Sequence, residues 1–205
     1  MHRICREHRI WSTTTKKGKK VAGKTPGLAV TDDLVQRSGA GGVVVGRLHR
    51  ASHAGRQALP GLLKDVLSNR IVGYALSPRP TAELACAALS HALARCNPEG
   101  TVVVHSDRGG PFRSRNFQRL LSMNGLTGSM GRVSSAADNA AMESFHSLLQ
   151  KNVLDQQRTW ESPEQLHLAI VTWIEHTYNN RRRQRRLGKL TPVEFELAFA
   201  ATHAA

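Results

Sequence analysis

The chain has 205 residues, room for one domain and a short appendage, and its 40% hydrophobic content suffices for a core. It contains no run of about 18 apolar residues and opens without an apolar signal core, so no membrane association is expected. A net charge of +14 with a pI near 10.8 points instead to a polyanionic partner, most simply nucleic acid.

The charge is clustered. Residues 1–24 hold eight Lys/Arg against one Glu, and residues 181–189 hold six. Two separate basic clusters on one small domain favour phosphate contact over two merely solvated faces. The three cysteines, Cys5, Cys86 and Cys96, are odd in number and form no C-x-x-C pair. Neither a disulfide framework nor a zinc knuckle is expected, and free thiols fit a reducing compartment.

In chain order, residues 1–37 read as a basic arm or linker, rich in Thr, Lys and Gly and poorly periodic. Residues 38–61 obey neither a period of 2 nor one of 3.6 despite the apolar run Val43–Val45, and read as irregular. From residue 62 to about 200 the pattern is orderly. Arg70–Leu76 reads as a strand, stopped by Pro78 and Pro80. Thr81 caps a helix carrying the stripe Leu84, Ala88, Leu89, Ala92 and Leu93. Thr101–His105 is a short buried strand, and Ser106 to Gly110 the loop at its carboxyl end. A helix lined by Phe117, Leu120, Leu121 and Met123 is expected next, closed by Gly125, and then Leu126–Met130 as a further strand. Gly131 to Ala137 reads as a mobile loop before a helix that starts at Asp138, with apolar positions Ala141, Phe145, Leu148 and Leu149. Ser162-Pro163-Glu164-Gln165 starts a helix with Leu166, Ile170, Trp173, Ile174 and Thr177 at helical spacing, and Thr191-Pro192-Val193-Glu194 starts a last one. Alternating strands and helices with a helical C-terminal half predict an α/β layered domain.

Two carboxylates stand out. Asp107 follows a buried strand, at the edge of an open α/β sheet where ligands bind, although Asp is also a common turn residue. Glu143 lies on its helix roughly opposite the apolar stripe, on a face with Asn139, Ser147 and Gln150; a solvated carboxylate is the ordinary alternative.

The segments His105-Ser-Asp-Arg-Gly-Gly, Ser129-Met-Gly-Arg, Asp138-Asn-Ala-Ala-Met-Glu143-Ser-Phe, Tyr178-Asn-Asn-Arg-Arg-Arg and Leu190-Thr-Pro-Val-Glu-Phe occur in that order. Together they resemble insertion-sequence transposases with a retroviral-integrase-type core, over about Asp65 to Phe199. Thirty-five residues separate Asp107 from Glu143, which is the spacing of the last two acids in that family's Asp, Asp, Glu triad. The resemblance implies an RNase H-like fold of mixed sheet and flanking helices, and two-metal cleavage and transfer of DNA strands. Asp107 and Glu143 would hold Mg²⁺ or Mn²⁺, a pair of ions about 4 Å apart flanking the reacting phosphate. Arg108, Asn139, Lys151, Arg181, Arg182, Arg183, Arg185 and Arg186 would meet DNA, with Asn139 or Ser147 orienting neighbouring groups. It also implies element ends and target DNA as partners, homo-oligomers on DNA and a cytoplasmic location at the bacterial nucleoid.

The chain departs from the family at the front. The first Asp belongs to a Trp-x-x-Asp-x-Thr strand followed by a Gly-x-Leu-Tyr strand, and neither pattern is present. Asp32 and Asp33 lie in the basic arm, and Asp65 matches a non-catalytic position. The missing strands should fall at residues 38–61, whose Arg, His, Ala and Gly richness is what GC-rich DNA gives out of frame. A pair of compensating frameshifts, or a gene-prediction error, is therefore expected there, with incomplete N-terminal strands, exposed sheet edges and an inactive, marginally stable product. The competing functions are a non-catalytic basic DNA-binding remnant and an RNase H-like nuclease acting on hybrids or junctions.

Overall fold

A computed structural model describes residues 42–48, 51–53, 56–96, 102–130, 140–156 and 160–203. The basic arm, Cys5, the loop 131–137, Asp138 and Asn139 lie outside the described residues. The strands are β1 (Gly42–Leu48), β2 (Ala51–His53), β3 (Arg56–Asp65), β4 (Ile71–Ser77), β5 (Val102–Ser106) and β6 (Thr127–Met130). The helices are α1 (Ala82–Cys96), α2 (Arg115–Met123), α3 (Ala140–Asn152), α4 (Pro163–Thr172) and α5 (Pro192–His203). A π-helical segment, Trp173–Asn179, extends α4.

The six strands form a mixed sheet in the order β2-β3-β1-β5-β6, with β4 on the other side of β3. β1 is antiparallel to β3 and parallel to β5, which is parallel to β6. The carboxyl ends of β1, β5 and β6 thus share one edge of the sheet. Here the backbone differs from the sequence expectation. The stretch expected to be irregular, and the strands expected to be incomplete, supply β1, β2 and most of β3. A ladder is made by peptide groups that every non-proline residue carries, so neighbouring strands can recruit a segment lacking side-chain periodicity.

Two apolar clusters flank the sheet. On one face Leu63, Val72 and Val104 pack with Ala85, Ala88, Leu89 and Ala92 of α1 and with Phe117 and Leu121 of α2. On the other, Leu62 and Ile71 pack with Met142, Phe145 and Leu149 of α3, Leu166 and Ile170 of α4, and Ile174 and Tyr178. The result is a three-layer α/β/α core.

Most helix ends are set as their sequences predict. Ser162 accepts a hydrogen bond from the Gln165 amide at 3.2 Å, and Gly125 closes α2 at φ 65°. Thr191 and Glu194 form a reciprocal box, each side chain accepting from the other's amide, at 3.2 and 2.8 Å. Two faces differ from expectation. In α3 the buried set is Met142, Phe145, His146 and Leu149, with Leu148 half-buried, so the apolar face is turned from the predicted stripe. Past α4, Thr177 is exposed while the adjacent Tyr178 and Asn179 are both buried. The wider π turn changes the helical phase there. Cys86 and Cys96 are free thiols, and among the described residues no helix is long and apolar enough to cross a membrane.

Candidate active site

Asp107 is the first residue past β5, half-buried at the carboxyl edge of the parallel strands. Its Oδ1 accepts the Gly109 amide at 2.8 Å. A β-carbon at Gly109 would come within 2.7 Å of that oxygen, so glycine is what lets the carboxylate fold over its own turn. The turn role and the edge position therefore coexist. Beneath it, buried His105 meets the Ser129 hydroxyl at 3.1 Å through Nδ1, tying β5 to β6. Those two motif residues are structural: their polar side chains crosslink parallel strands under the loop.

Glu143 is exposed in the first turn of α3, next to Met142, which is fully buried against the sheet. A carboxylate near a helix N-terminus meets the positive end of the dipole. The Ser147 hydroxyl donates to the Glu143 carbonyl at 3.0 Å, so it back-bonds its own helix rather than orienting a neighbouring group as expected. Arg108 is exposed on the Asp107 loop, and Lys151 is exposed at the far end of α3, about 12 Å along the axis from Glu143.

Arg181, Arg182, Arg183, Arg185 and Arg186 are all exposed on the connection from the π segment to α5. The charged and polar groups that three of them meet belong to β3, the π segment and α5. Arg186 acts on Lys64, Arg182 on Tyr178, and Arg183 lies 4.0 Å from Glu194. Asp65 caps the β3–β4 turn, accepting the Leu67 and Ser68 amides at 3.2 and 2.8 Å.

Lys64 is a buried cation that sequence reasoning missed. It is 3% exposed on β3, with Nζ 5.9 Å from the Tyr178 ring centre. Burial, and then repulsion from Arg186, lower its pKa to about 8, against a smaller opposing pull from Asp65. Below pH 8 the folded chain carries the full cost of this buried charge. Between about pH 8 and 10.5 the unfolded chain keeps a proton that the folded chain has given up, so this contribution to stability rises with pH. The half-buried Cys86 and Cys96 thiols, pushed upward, act oppositely at alkaline pH. The signal is therefore the difference between chains. Urea titrations should show Lys64→Met more stable than wild type by about 2 kcal/mol at pH 7, the gap closing towards pH 10. A gap independent of pH would disprove the assignment.

A mixed sheet between helical layers, with an acidic residue just past its central parallel strand and another on the covering helix, defines an integrase-type, RNase H-like core. Two models of the integrase core domain match, over residues 49–136 and 124–192, and the chain belongs to that family. It is 38% identical over 132 residues to the transposase InsF for insertion sequence IS3A of Escherichia coli strain K12, a match covering 64% of this chain and 46% of that protein. The chain thus spans about half the length of the curated relatives it matches. The HTLV-2 integrase catalytic core domain in complex with magnesium superposes with a TM-score of 0.58 at 13% identity, over 82% of this chain and 98% of that one. The BIV integrase catalytic core gives 0.59 at 20% identity, over 80% and 98%.

Among the described residues the donors do not fit a two-metal centre. Asp107 and Glu143 are carboxylates, but the residue that follows the last β1–β5 pair, Gly46 opposite Ser106, is Arg47, a cation. Among the described residues no cluster of three or more His, Cys, Asp or Glu side chains converges on one point. Oxygen-rich, anionic sites are what Mg²⁺ and Mn²⁺ require.

Proposed function

We propose that this chain is a transposase catalytic core that acts on DNA, holding mobile-element ends and target DNA as a homo-oligomer in the bacterial cytoplasm. The core comprises residues 62–200 together with β1, β2 and the start of β3, and residues 1–37 are a basic arm. The observation that carries the reading is the exposed cluster Arg181, Arg182, Arg183, Arg185 and Arg186 on a domain of the integrase core family. Arginine presents a rigid, always-charged fork suited to phosphate, and Arg108, Lys151 and Asn139 extend the DNA-facing set. Asp107 and Glu143 are placed in the strand-cleavage and transfer machinery. Among the described residues the metal-binding donor set is incomplete.

The test is DNA affinity against salt. The full chain should bind duplex DNA with a steep log–log salt dependence. Replacing all five arginines by Gln should lower the slope by about 0.9 for each phosphate that is no longer neutralised. Unchanged affinity and slope in a folded variant would refute the reading. A preference for RNA–DNA hybrids over duplex DNA would favour a hybrid nuclease instead.

A further inference from the structure

We infer that the third metal-binding carboxylate of this site belongs at position 47, where the chain carries Arg47. This one position separates the fold from a divalent-metal centre, and the inference rests on the transposase-core reading above.

The backbone register selects the position. β1 and β5 run parallel in register from Gly42 opposite Val102 to Gly46 opposite Ser106. The next step sets position 47 beside Asp107, at the roughly 4.8 Å separation of neighbouring strands. Strand alternation selects the face. A β-carbon on Gly46 would point at Leu63 and Phe112, 3.1 and 3.3 Å away, both in the cluster under α1 and α2. Position 47 pairs with Leu62, which belongs to the cluster under α3. On β5, Val104 belongs to the α1 and α2 side, so Asp107, three residues on, falls on the α3 side. Glu143 sits on α3 beside Met142, which packs in the same cluster as Leu62. Position 47, Asp107 and Glu143 therefore all belong to the α3 side of the sheet.

The genetic code selects the same position independently. Valine codons are GTN and the codons after Val44 and Val45 begin with G, so one base later the Val44–Val45 junction can read TGG, tryptophan. In that frame Arg47–Leu48 can read GAC or GAT, aspartate, and His49–Arg50 can read ACC or ACA, threonine. These fall at the spacing Trp-x-x-Asp-x-Thr, with the aspartate codon overlapping that of Arg47. The same frame allows glycine across Arg56–Gln57, leucine across Ala58–Leu59 and tyrosine across Leu59–Pro60, the spacing Gly-x-Leu-Tyr. Both absent patterns are thus permitted in one shifted frame, on β1 and β3 themselves. Read in the present frame, the position carries arginine, a permanently cationic residue type that cannot ligate a divalent ion.

The experiment is Mn²⁺ binding to the purified full chain, followed by calorimetry and by the metal-induced shift in Tm. Wild type should show no saturable binding up to millimolar Mn²⁺. Arg47→Asp should bind at least about 100-fold more tightly. The gain should vanish in Arg47→Asp with Asp107→Asn and in Arg47→Asp with Glu143→Gln. Val45→Asp, one pleat earlier on the same face, should gain nothing. Saturable binding by wild type that Asp107→Asn removes would overturn the proposal. So would a folded Arg47→Asp that binds no better than wild type. Should Arg47→Asp fail to fold, the coding DNA decides: a shifted frame without aspartate at the codon overlapping Arg47 and Leu48 overturns the assignment. Metal binding gained by a chain that does not bind DNA would refute the transposase-core reading while leaving position 47 assigned.

Discussion

Gly73→Val should leave no cooperative unfolding transition, and even Gly73→Ala should cost about 3 kcal/mol or more in urea titrations. The reason lies in the register of β3 and β4. Leu63 pairs with Gly73 and Lys64 with Ile71, so Val72 is an extra residue and the strand bulges there. The bulge breaks strict alternation. Ile71 remains on the α3 side, while Val72 packs under α1 and Gly73 faces α1 as well. Helix α1 can lie this close only because the residues it presents are Ala88 and Ala92, four apart on one face, and because Gly73 has no side chain. A β-carbon there would stand 2.4 Å from the Ala88 carbonyl oxygen and 2.7 Å from the Ala92 β-carbon. One of those atoms is backbone, so no rotamer change relieves the clash and the helix must move off the sheet. A domain holding about 5–15 kcal/mol in total is not expected to survive the branched side chain. A normally stable Gly73→Val would show that α1 does not seat on the bulge.

Much of this architecture was legible because local chemistry and tertiary role agree. Ser162, Thr191 and Gly125 announce helix ends through donors and acceptors that are local in sequence. The valines of β5 announce a buried strand, and Asp107 directly after them announces an edge. What was not legible depended on partners distant in the chain. No period marks β1, because its place is set by backbone pairing to β5 and β3. The burial of Lys64 and His146 runs against their polarity, and the closeness of α1 to Gly73 follows from a bulge that composition does not reveal. For the site, order and spacing gave Asp107 and Glu143 as candidates, and the gap at the first acid could be seen as an absent motif. The β1–β5 register, and not the pattern of residue types, points to the residue in that gap.

Asn179→Leu should destabilise the fold by about 4 kcal/mol, although it replaces a polar residue in an apolar core with an apolar one of similar size. Asn179 is fully buried. Its Oδ1 accepts the Ile71 amide at 3.0 Å and its Nδ2 donates to the Ile71 carbonyl at 3.1 Å. Among the described residues strand β4 pairs with β3 alone, so Ile71 presents a peptide donor and acceptor away from the ladder, inside the core. The Asn179 amide pairs with both as a neighbouring strand would, and the π turn brings it to the sheet while Tyr178 fills the space beside Phe145, ring centres 4.7 Å apart. Leucine would keep the volume but leave two buried backbone groups without partners, each costing about 1–3 kcal/mol. Asn179→Asp should be nearly as damaging, since a carboxylate can accept from the Ile71 amide but, when ionised, cannot donate to its carbonyl. The diagnostic readout is amide hydrogen exchange. Ile71 should lose protection in Asn179→Leu before the centre of β5 does, because the edge of β4 opens first. Uniform loss across the sheet would mean that Asn179 acts only as packing, and a fully stable Asn179→Leu would mean that the β4 edge needs no such partner.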